Sequence, residues 1–461
     1  MNQLELKDSI IDGIEPWNVN YKNASDFIHA IEELKKQFAS GKIDCIHLCN
    51  YGNFELGESP INVAISSYTK LHNSRVPDKC SFSTSHYIGF YGDLNVSIRI
   101  VPRFGDLFSY FLGYAANVFL PVGESGLSPS GGNAYWLLAI LWKSLLNNAL
   151  TTGQIPKIYI EERKNINNYR GRLDFHQNIM KNIVEQSKFF CVYRKLSMDN
   201  TINRAVRHTY RVLKEKGLNN VLADMAAFDQ RLESFGVKDN ISELKELDNI
   251  RYTRMNAVYK PVVNICRTII RNEASSFEGG DRKNFSYMID VAELWELYLL
   301  RLLQRNLSSE YYVYSPNAVA GSFLLEGDLR SIRPDILIEK DNRVVLIIDA
   351  KYKHYSHIGK TASSYASVQR DDLYQMNTYL YHYGKGRSLA GIFTSPVAET
   401  EQNLHRYANN PNHRIGVVNL DIKSCGNDME KIHAAENLYI DRIKRILSEN
   451  PEQYKWGMLK C

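Results

Sequence analysis

Two short β-favouring runs in SIRPDILIEKDNRVVLIIDAKYK, Ser331 to Lys353, carry charge at their edges: Asp335 opens the first, and Asp349 and Lys351 close the second. Runs this rich in Ile, Val and Leu belong in a sheet interior, where an uncompensated carboxylate is costly. Asp341-Asn342 stands between them and predicts a tight hairpin. Residues two apart on a strand share a face, so Asp349 and Lys351 project to one side. The direction of Asp335 depends on register. A two-residue loop puts it opposite Ile348, facing away from Asp349; a three-residue loop, or a bulge, puts it opposite Asp349 and beside it. Carboxylates so paired repel each other, and Mg2+ relieves this by taking oxygen ligands from both while keeping water and phosphate oxygens in its other positions. Such an ion acidifies a water and neutralises charge as a phosphodiester is attacked. Lys351 could orient that water or stabilise the developing negative charge. The other register leaves only a salt-bridged hairpin.

Two flanking helices can bring further polar groups to the same place. Upstream, VAELWELYLL spaces Glu293 and Glu296 three apart on a largely apolar helix suited to packing against the sheet, and either could reach a metal. Downstream, QMNTY gives Gln375 and Tyr379 an i, i+4 spacing, so both face one way, and Gln375 could hold a phosphate or a metal-bound water. Taken singly, each pair reads as an ordinary polar helix edge.

The chain that must position these residues has 461 of them, long enough for two or three domains, and its 44% hydrophobic and 23% charged residues fit a folded protein. No run of 18 apolar residues occurs, and the opening MNQLELKDSIIDGIEPW lacks a basic region followed by an apolar one; neither a membrane span nor a secretory signal is expected, and a cytoplasmic location is. Seven scattered cysteines form no C-x-x-C pair and read as reduced packing residues, Cys45 and Cys49 included. A net charge of +5 permits nucleic-acid binding without demanding it.

Helical periodicity runs through ASDFIHAIEELKKQFASGK, AYWLLAILWKSLLNNAL, MDNTINRAVRHTYRVLKEKG (capped by Asp199 or Asn200), YKPVVNICRTIIRNEA, SYMIDVAELWELYLLRLLQRNL, RDDLYQMNTYLYHYG and a last helix from about Met429. Tyr87 to Phe90 and Val96 to Val101 read as a hairpin, KIYIEERKNINNYRGRLDF as a strand and turn pair, and LAGIFTSP and RIGVVNLDI as strands. Gly, Ser and Pro cluster at 121–133, and FEGGDRKNF at 277–285 makes a second break. The expected architecture is therefore multidomain α/β: a β-rich N-terminal region at 1–125, a mainly helical region at 126–279 and an α/β domain at 280–461.

The order Glu296, Pro334-Asp335, Asp349-Ala350-Lys351, Gln375-x-x-x-Tyr379 resembles the PD-(D/E)XK nuclease superfamily. Together with YIGFYGDLNVSIRIVPRFG, YRGRLDF, LSMDNTINRAVRHTYRVL, ELWELYLLRLL, RPDILI, LIIDAKYK and DLYQMNTYL, it is similar to the McrC family, nuclease subunits of McrBC modification-dependent restriction systems. The resemblance spans about Tyr87 to Tyr381. It implies a restriction-endonuclease-like C-terminal domain, Asp335 and Asp349 as Mg2+ ligands, Glu296 as a further ligand or water-positioning group, and Lys351 as the catalytic lysine. It also implies DNA as substrate and a McrB-like AAA+ GTPase or ATPase as partner. The alternatives are an inactive adaptor that only stimulates the motor, and a stand-alone nuclease. Arg103 stands where such proteins often carry lysine, and the residues before Tyr87 match nothing in the family pattern.

Other signals carry less. Gly359-Lys360-Thr361 does not complete a phosphate loop, because His354 occupies the first glycine position, so no nucleotide is expected on this chain. Arg204, Arg207, His208, Arg211 and Lys214 form a basic stripe, read as a solvated face before a DNA or partner contact. Arg170 and Arg172 could reach a partner's nucleotide, but a turn stabilised by Asp174 is the plainer reading. His354, His357 and His382 lack the spacing of zinc ligands and read as surface groups.

Overall fold

The structure, a computed structural model, describes residues 2–8, 21–46, 59–71, 74–92, 96–104, 107–115, 135–184, 187–277, 286–307, 310–316, 322–325, 329–359, 367–385, 387–398, 404–408, 410–426 and 428–448. The 121–133 cluster, residues 278–285, Cys49, Lys360 and Thr361 lie outside these. The chain divides into two compact units, Asn133–Gly280 and the remainder, Met1–Gly132 with Asp281–Cys461.

The larger unit begins with β1 (Asn2–Lys7), α1 (Tyr21–Ala39), β2 (Asp44–Ile46), the long hairpin β3 (Ile61–Leu71) and β4 (Ser74–Thr84), then β5 (Tyr87–Gly92), β6 (Val96–Val101) and α2 (Leu107–Ala115). The expected β5–β6 hairpin is present and antiparallel. Phe27, Ile31 and Leu34 of α1 bury against Tyr91, Ile98 and Ile100 of these strands, the apolar stripe of a helix meeting the apolar face of a sheet.

The second unit contains α3 (Tyr135–Thr152), β7 (Ile158–Ile166), β8 (Arg172–Leu173), α4 (Phe175–Asn182), β9 (Phe189–Ser197), α5 (Thr201–Glu215), α6 (Asn219–Leu222), α7 (Ala226–Ser234), α8 (Lys245–Asp248) and α9 (Lys260–Phe277). Asn200 caps α5 by accepting the Asn203 amide at 3.1 Å. Asp174 caps α4, accepting from the Gln177 amide at 3.1 Å.

The larger unit resumes with β10 (Ser286–Asp290), α10 (Val291–Leu307), β11 (Tyr312–Tyr314), the hairpin β12 (Ser322–Leu325) and β13 (Leu329–Ile332), β14 (Ile336–Lys340), β15 (Arg343–Ala350), α11 (Arg370–Gly384), β16 (Leu389–Thr394), β17 (His405–Arg406), β18 (His413–Val417) and α12 (Met429–Ser448). Sequence periodicity runs a single helix from Ser286, but the structure splits it. Tyr287, Met288 and Ile289 are buried in a strand that completes the sheet β1-β6-β5-β10-β2. Asp290 then starts α10 by accepting the Ala292 amide at 2.9 Å, the work of a helix cap.

The C-terminal sheet has the order β11-β14-β15-β16-β18-β17, with β15, β16 and β18 parallel. Helix α11 covers one face, burying Met376, Tyr379 and Leu380 against Leu337, Ile347, Leu389 and Phe393. Gly391 of β16 makes this close approach possible, since a Cβ there would sit 2.5 Å from Met376 Sδ. Helix α10 is tied to the end of β16 by Trp295 Nε1, which donates to the Thr394 carbonyl at 3.2 Å. It also reaches α12, where the Tyr298 hydroxyl donates to Glu436 at 2.6 Å.

Asp341 and Asn342 form the two-residue turn between β14 and β15, with φ of 51° and 59°. Asn tolerates that left-handed backbone and a β-branched residue does not. Asn342→Val is expected to cost about 1–2 kcal/mol, read as a lower denaturant midpoint at unchanged slope; an unchanged midpoint would contradict the turn assignment.

Candidate active site

The register of β14 and β15 decides whether the two aspartates meet. Beside the turn, Lys340 pairs with Arg343 and Glu339 with Val344, but beyond a bulge Ile338 pairs with Leu346 and Ile336 with Ile348. Val345 is thus an extra residue on β15, and continuing the shifted ladder sets Asp335 across from Asp349. The bulge also shows in the packing: Val344 and Ile347, three apart, join the same core. The two-residue loop is therefore present, yet the bulge supplies the register that brings the carboxylates together.

Asp349 is 2% exposed. Asp335 accepts the Ala350 amide at 2.7 Å, which aims its carboxyl group at the end of β15. Burial and then the Asp349 charge push Asp335 well above the usual carboxylate range, against the pull of Lys351. The Lys351 ammonium lies 3.0 Å from Asp349 and 3.1 Å from Asp372. Burial works against its charge, but Asp349, Asp335 and Asp372 outweigh that and raise its pKa. The surrounding carboxylates therefore favour the charged ammonium form of Lys351.

Glu296 joins this cluster electrostatically. Burial, then the charges of Asp335, Asp290, Glu293 and Asp349, hold it well above the usual range. Glu293 is buried nearby at 7% exposure. Gln375 stands one step back: its amide donates to the Tyr379 hydroxyl at 2.7 Å, which in turn donates to the Arg333 carbonyl at 3.0 Å. This chain fixes the strand leading into Asp335, and Tyr379 is raised by burial and by the charges of Asp335 and Asp349.

Sequence reasoning missed two acidic groups here. Asp372 binds Lys351 and accepts the Tyr355 hydroxyl; it lies three residues before Gln375 on α11, a helical spacing that could have pointed to it. Asp290 lies beside His86, 3.6 Å away, and burial raises its pKa. Its place just before an apolar helix was the available signal.

The basic stripe of α5 is corrected in kind. Arg204 pairs with Asp199 at 2.6 Å, Arg207 with Asp229 at 2.8 Å, and His208 with Glu273 at 2.7 Å. Arg207 and His208 are buried, so they serve an ion pair and a hydrogen bond within the second unit and not a solvated face. Arg170 stacks over Tyr193, its guanidinium carbon 4.7 Å from the ring centroid. His357 is exposed, whereas His354 and His382 are half-buried. Cys191, Cys266 and Cys425 are buried free thiols, and Cys45 is half-buried.

Among the described residues, no three His, Cys, Asp or Glu side chains close into a metal cage of their own. The donor set nonetheless fits a hard cation of the Mg2+ kind, which binds through one or two carboxylates and leaves its other positions to water and phosphate. Asp335 and Asp349 would hold it, with Glu296 within electrostatic reach. No helix among the described residues is long and apolar enough to cross a membrane.

Together these features define a mixed α/β protein with strands at its N-terminus, helices in its middle and a C-terminal sheet that ends in an acid–acid–lysine cluster. Residues 82–392 match the family model described as McrBC 5-methylcytosine restriction system component, and the chain belongs to that family. Its fold is similar to a chain in the refined half-complex from the tetradecameric assembly of Thermococcus gammatolerans McrB AAA+ hexamers with bound McrC. That likeness has 18% identity and a TM-score of 0.54, covering 96% of this chain and 100% of that one. A second similarity, to the cryo-EM structure of the Thermococcus gammatolerans McrBC complex, has 19% identity and a TM-score of 0.36 over 66% of this chain and 88% of that one. No curated protein matches the chain.

Because the folded state holds the Asp335 proton to higher pH than the unfolded chain does, this group costs stability as pH rises above its ordinary value of 3.8. Without divalent cation, Asp335→Asn is expected to melt higher than the unaltered chain at neutral pH. The gap should close as pH falls toward about 4. Thermal unfolding across pH measures this, and a variant less stable at neutral pH would contradict the repulsion.

Proposed function

We propose that the chain is the McrC-like nuclease subunit of a McrBC-type restriction system, a Mg2+-dependent endonuclease that cuts DNA when assembled with a McrB-like AAA+ NTPase and stimulates that motor. The observation that carries the reading is the bulge that sets Asp335 across from Asp349 with Lys351 at 3.0 Å. A structural hairpin gains nothing from repelling carboxylates, whereas PD-(D/E)XK chemistry needs them. Family membership supports the restriction role, and the printed description of the T. gammatolerans assembly is the ground for an AAA+ partner. The second unit also exposes Tyr159, Phe175, Ile179, Met180, Ile183 and Val184, apolar side chains of the kind that a protein partner covers.

In this reading Asp335 and Asp349 hold the cation at the sheet end, and the Ala350 amide keeps Asp335 aimed there. When bound, the cation supplies Lewis-acid neutralisation of phosphate charge and a more acidic water. Lys351, kept cationic and anchored by Asp372, places its ammonium where negative charge develops on the phosphate. Glu296, its pKa raised by burial and then by its acidic neighbours, stands where it can orient a water. Gln375 and Tyr379 keep the strand before Asp335 fixed.

Asp349→Ala is expected to abolish Mg2+-dependent DNA cleavage by the assembled complex while leaving stimulation of the partner's NTPase intact. Undiminished cleavage would sink the site assignment. If the unaltered complex stimulates the partner without cutting, the chain is an inactive adaptor.

A further inference from the structure

The catalytic strand does not end freely. Beyond Ala350 its ladder with β16 stops, and the Lys351 amide makes one last bond to the Thr394 carbonyl at 2.9 Å. Tyr352, the next residue, is 4% exposed and is gripped from the N-terminal sheet of the same unit. Arg103 Nη2 donates to the Tyr352 carbonyl. The Arg103 guanidinium carbon also lies 4.0 Å from the centroid of the Tyr352 ring and 4.8 Å from that of Phe104. Phe104 in turn meets Tyr352 edge-on at 5.9 Å and Phe111 of α2 at 6.0 Å.

Arg103 is itself held. Strands β1 and β6 run parallel, so their ends emerge side by side, and the Asp8 amide donates to the Val101 carbonyl at 3.0 Å. The Asp8 carboxylate is completely buried and accepts the Arg103 backbone amide. A buried carboxylate is costly unless it is paired, and here it fixes the backbone of the residue whose side chain reaches Tyr352. Arg103 meets Tyr352, the residue after Lys351, so its effect passes through the chain segment that carries both.

We propose that Arg103 is a positioning residue for Lys351, locking the exit of the catalytic strand so that the ammonium keeps its place beside Asp349. The inference rests on the nuclease reading. Its physical basis is that a displacement of about 1 Å in a reacting group can cost about 100-fold in rate, and between the Lys351 amide, bonded to Thr394, and the Tyr355 amide, bonded to Ser395, it is Arg103 that holds the Tyr352 carbonyl. Arginine suits the role because a planar guanidinium stacks on an aromatic ring and donates to a carbonyl at once, which an ammonium on a flexible stem does not.

The test uses the full chain assembled with its AAA+ partner and DNA, comparing the unaltered protein with Arg103→Ala and the milder Arg103→Lys. Arg103→Ala is expected to lower single-turnover cleavage at saturating DNA by about 10–100-fold, the range for residues that orient a metal site's ligands, and Arg103→Lys, which keeps the charge but not the planar fork, by less. The KM for DNA and stimulation of the partner's NTPase should stay unchanged. Hydrogen exchange should quicken over residues 351–355 and not along β1 and β6. Full-rate cleavage by Arg103→Ala overturns the inference. So does a parallel loss of cleavage, NTPase stimulation and exchange protection across the N-terminal sheet, which would mark a general folding role. An unaltered complex that fails to cut DNA defeats the nuclease reading and this inference together; a cutting complex indifferent to Arg103 defeats the inference alone.

Discussion

The repulsion between Asp335 and Asp349 is the constraint around which the C-terminal sheet is built. One extra residue, Val345, creates it by shifting the ladder so that the two positions oppose each other. Without that shift the same amino acids would point to opposite faces, and the sheet would carry two separate polar edges. Holding like charges together in a partly dry place is destabilising, so the surrounding structure must both tolerate and direct the strain. Lys351 offsets it from one side, and the raised pKa of Asp335 shows that the compensation is incomplete. In the proposed function a cation would complete it.

The neighbouring elements read as supports for that arrangement. Helix α11 is drawn tightly onto β16 because Gly391 leaves room for Met376, and this brings three polar residues to bear from one helix. Asp372 anchors the Lys351 ammonium, while Gln375 and Tyr379 pin the strand at Arg333. Helix α10 also meets this sheet, its start fixed by Asp290 and its body tied to β16 through Trp295. Glu296 reaches the cluster from there. Each support is local, but together they leave the acidic pair little freedom to separate.

Much of this was legible in the sequence because its signals are local. Alternating apolar residues mark β6, a continuous run of Val, Leu and Ile marks β15, three-and-four spacing marks α5, α9 and α11, and Asp341-Asn342 marks the turn. The register was not legible, since a bulge adds one residue without any compositional sign; only the chemical demand that Asp335 meet Asp349 pointed to it. The strand Ser286–Asp290 was hidden because Tyr-Met-Ile joins smoothly to a helical period, and its strand character comes from partners nearly two hundred residues away, Tyr87 to Tyr91. Likewise the α5 stripe reads as basic in isolation, but Asp229 and Glu273 arrive through tertiary packing. Asp8 became visible only once its partner was in place.

The central claim is that Asp335 and Asp349 form one cation site at the end of β15. Anomalous diffraction from crystals soaked in Mn2+, a close stand-in for Mg2+, tests it most directly. The account predicts a single strong peak within coordination distance of both carboxylates, lost in Asp349→Ala crystals. Density that shows the two aspartates apart, or a cation bound elsewhere with this pair empty, would contradict it.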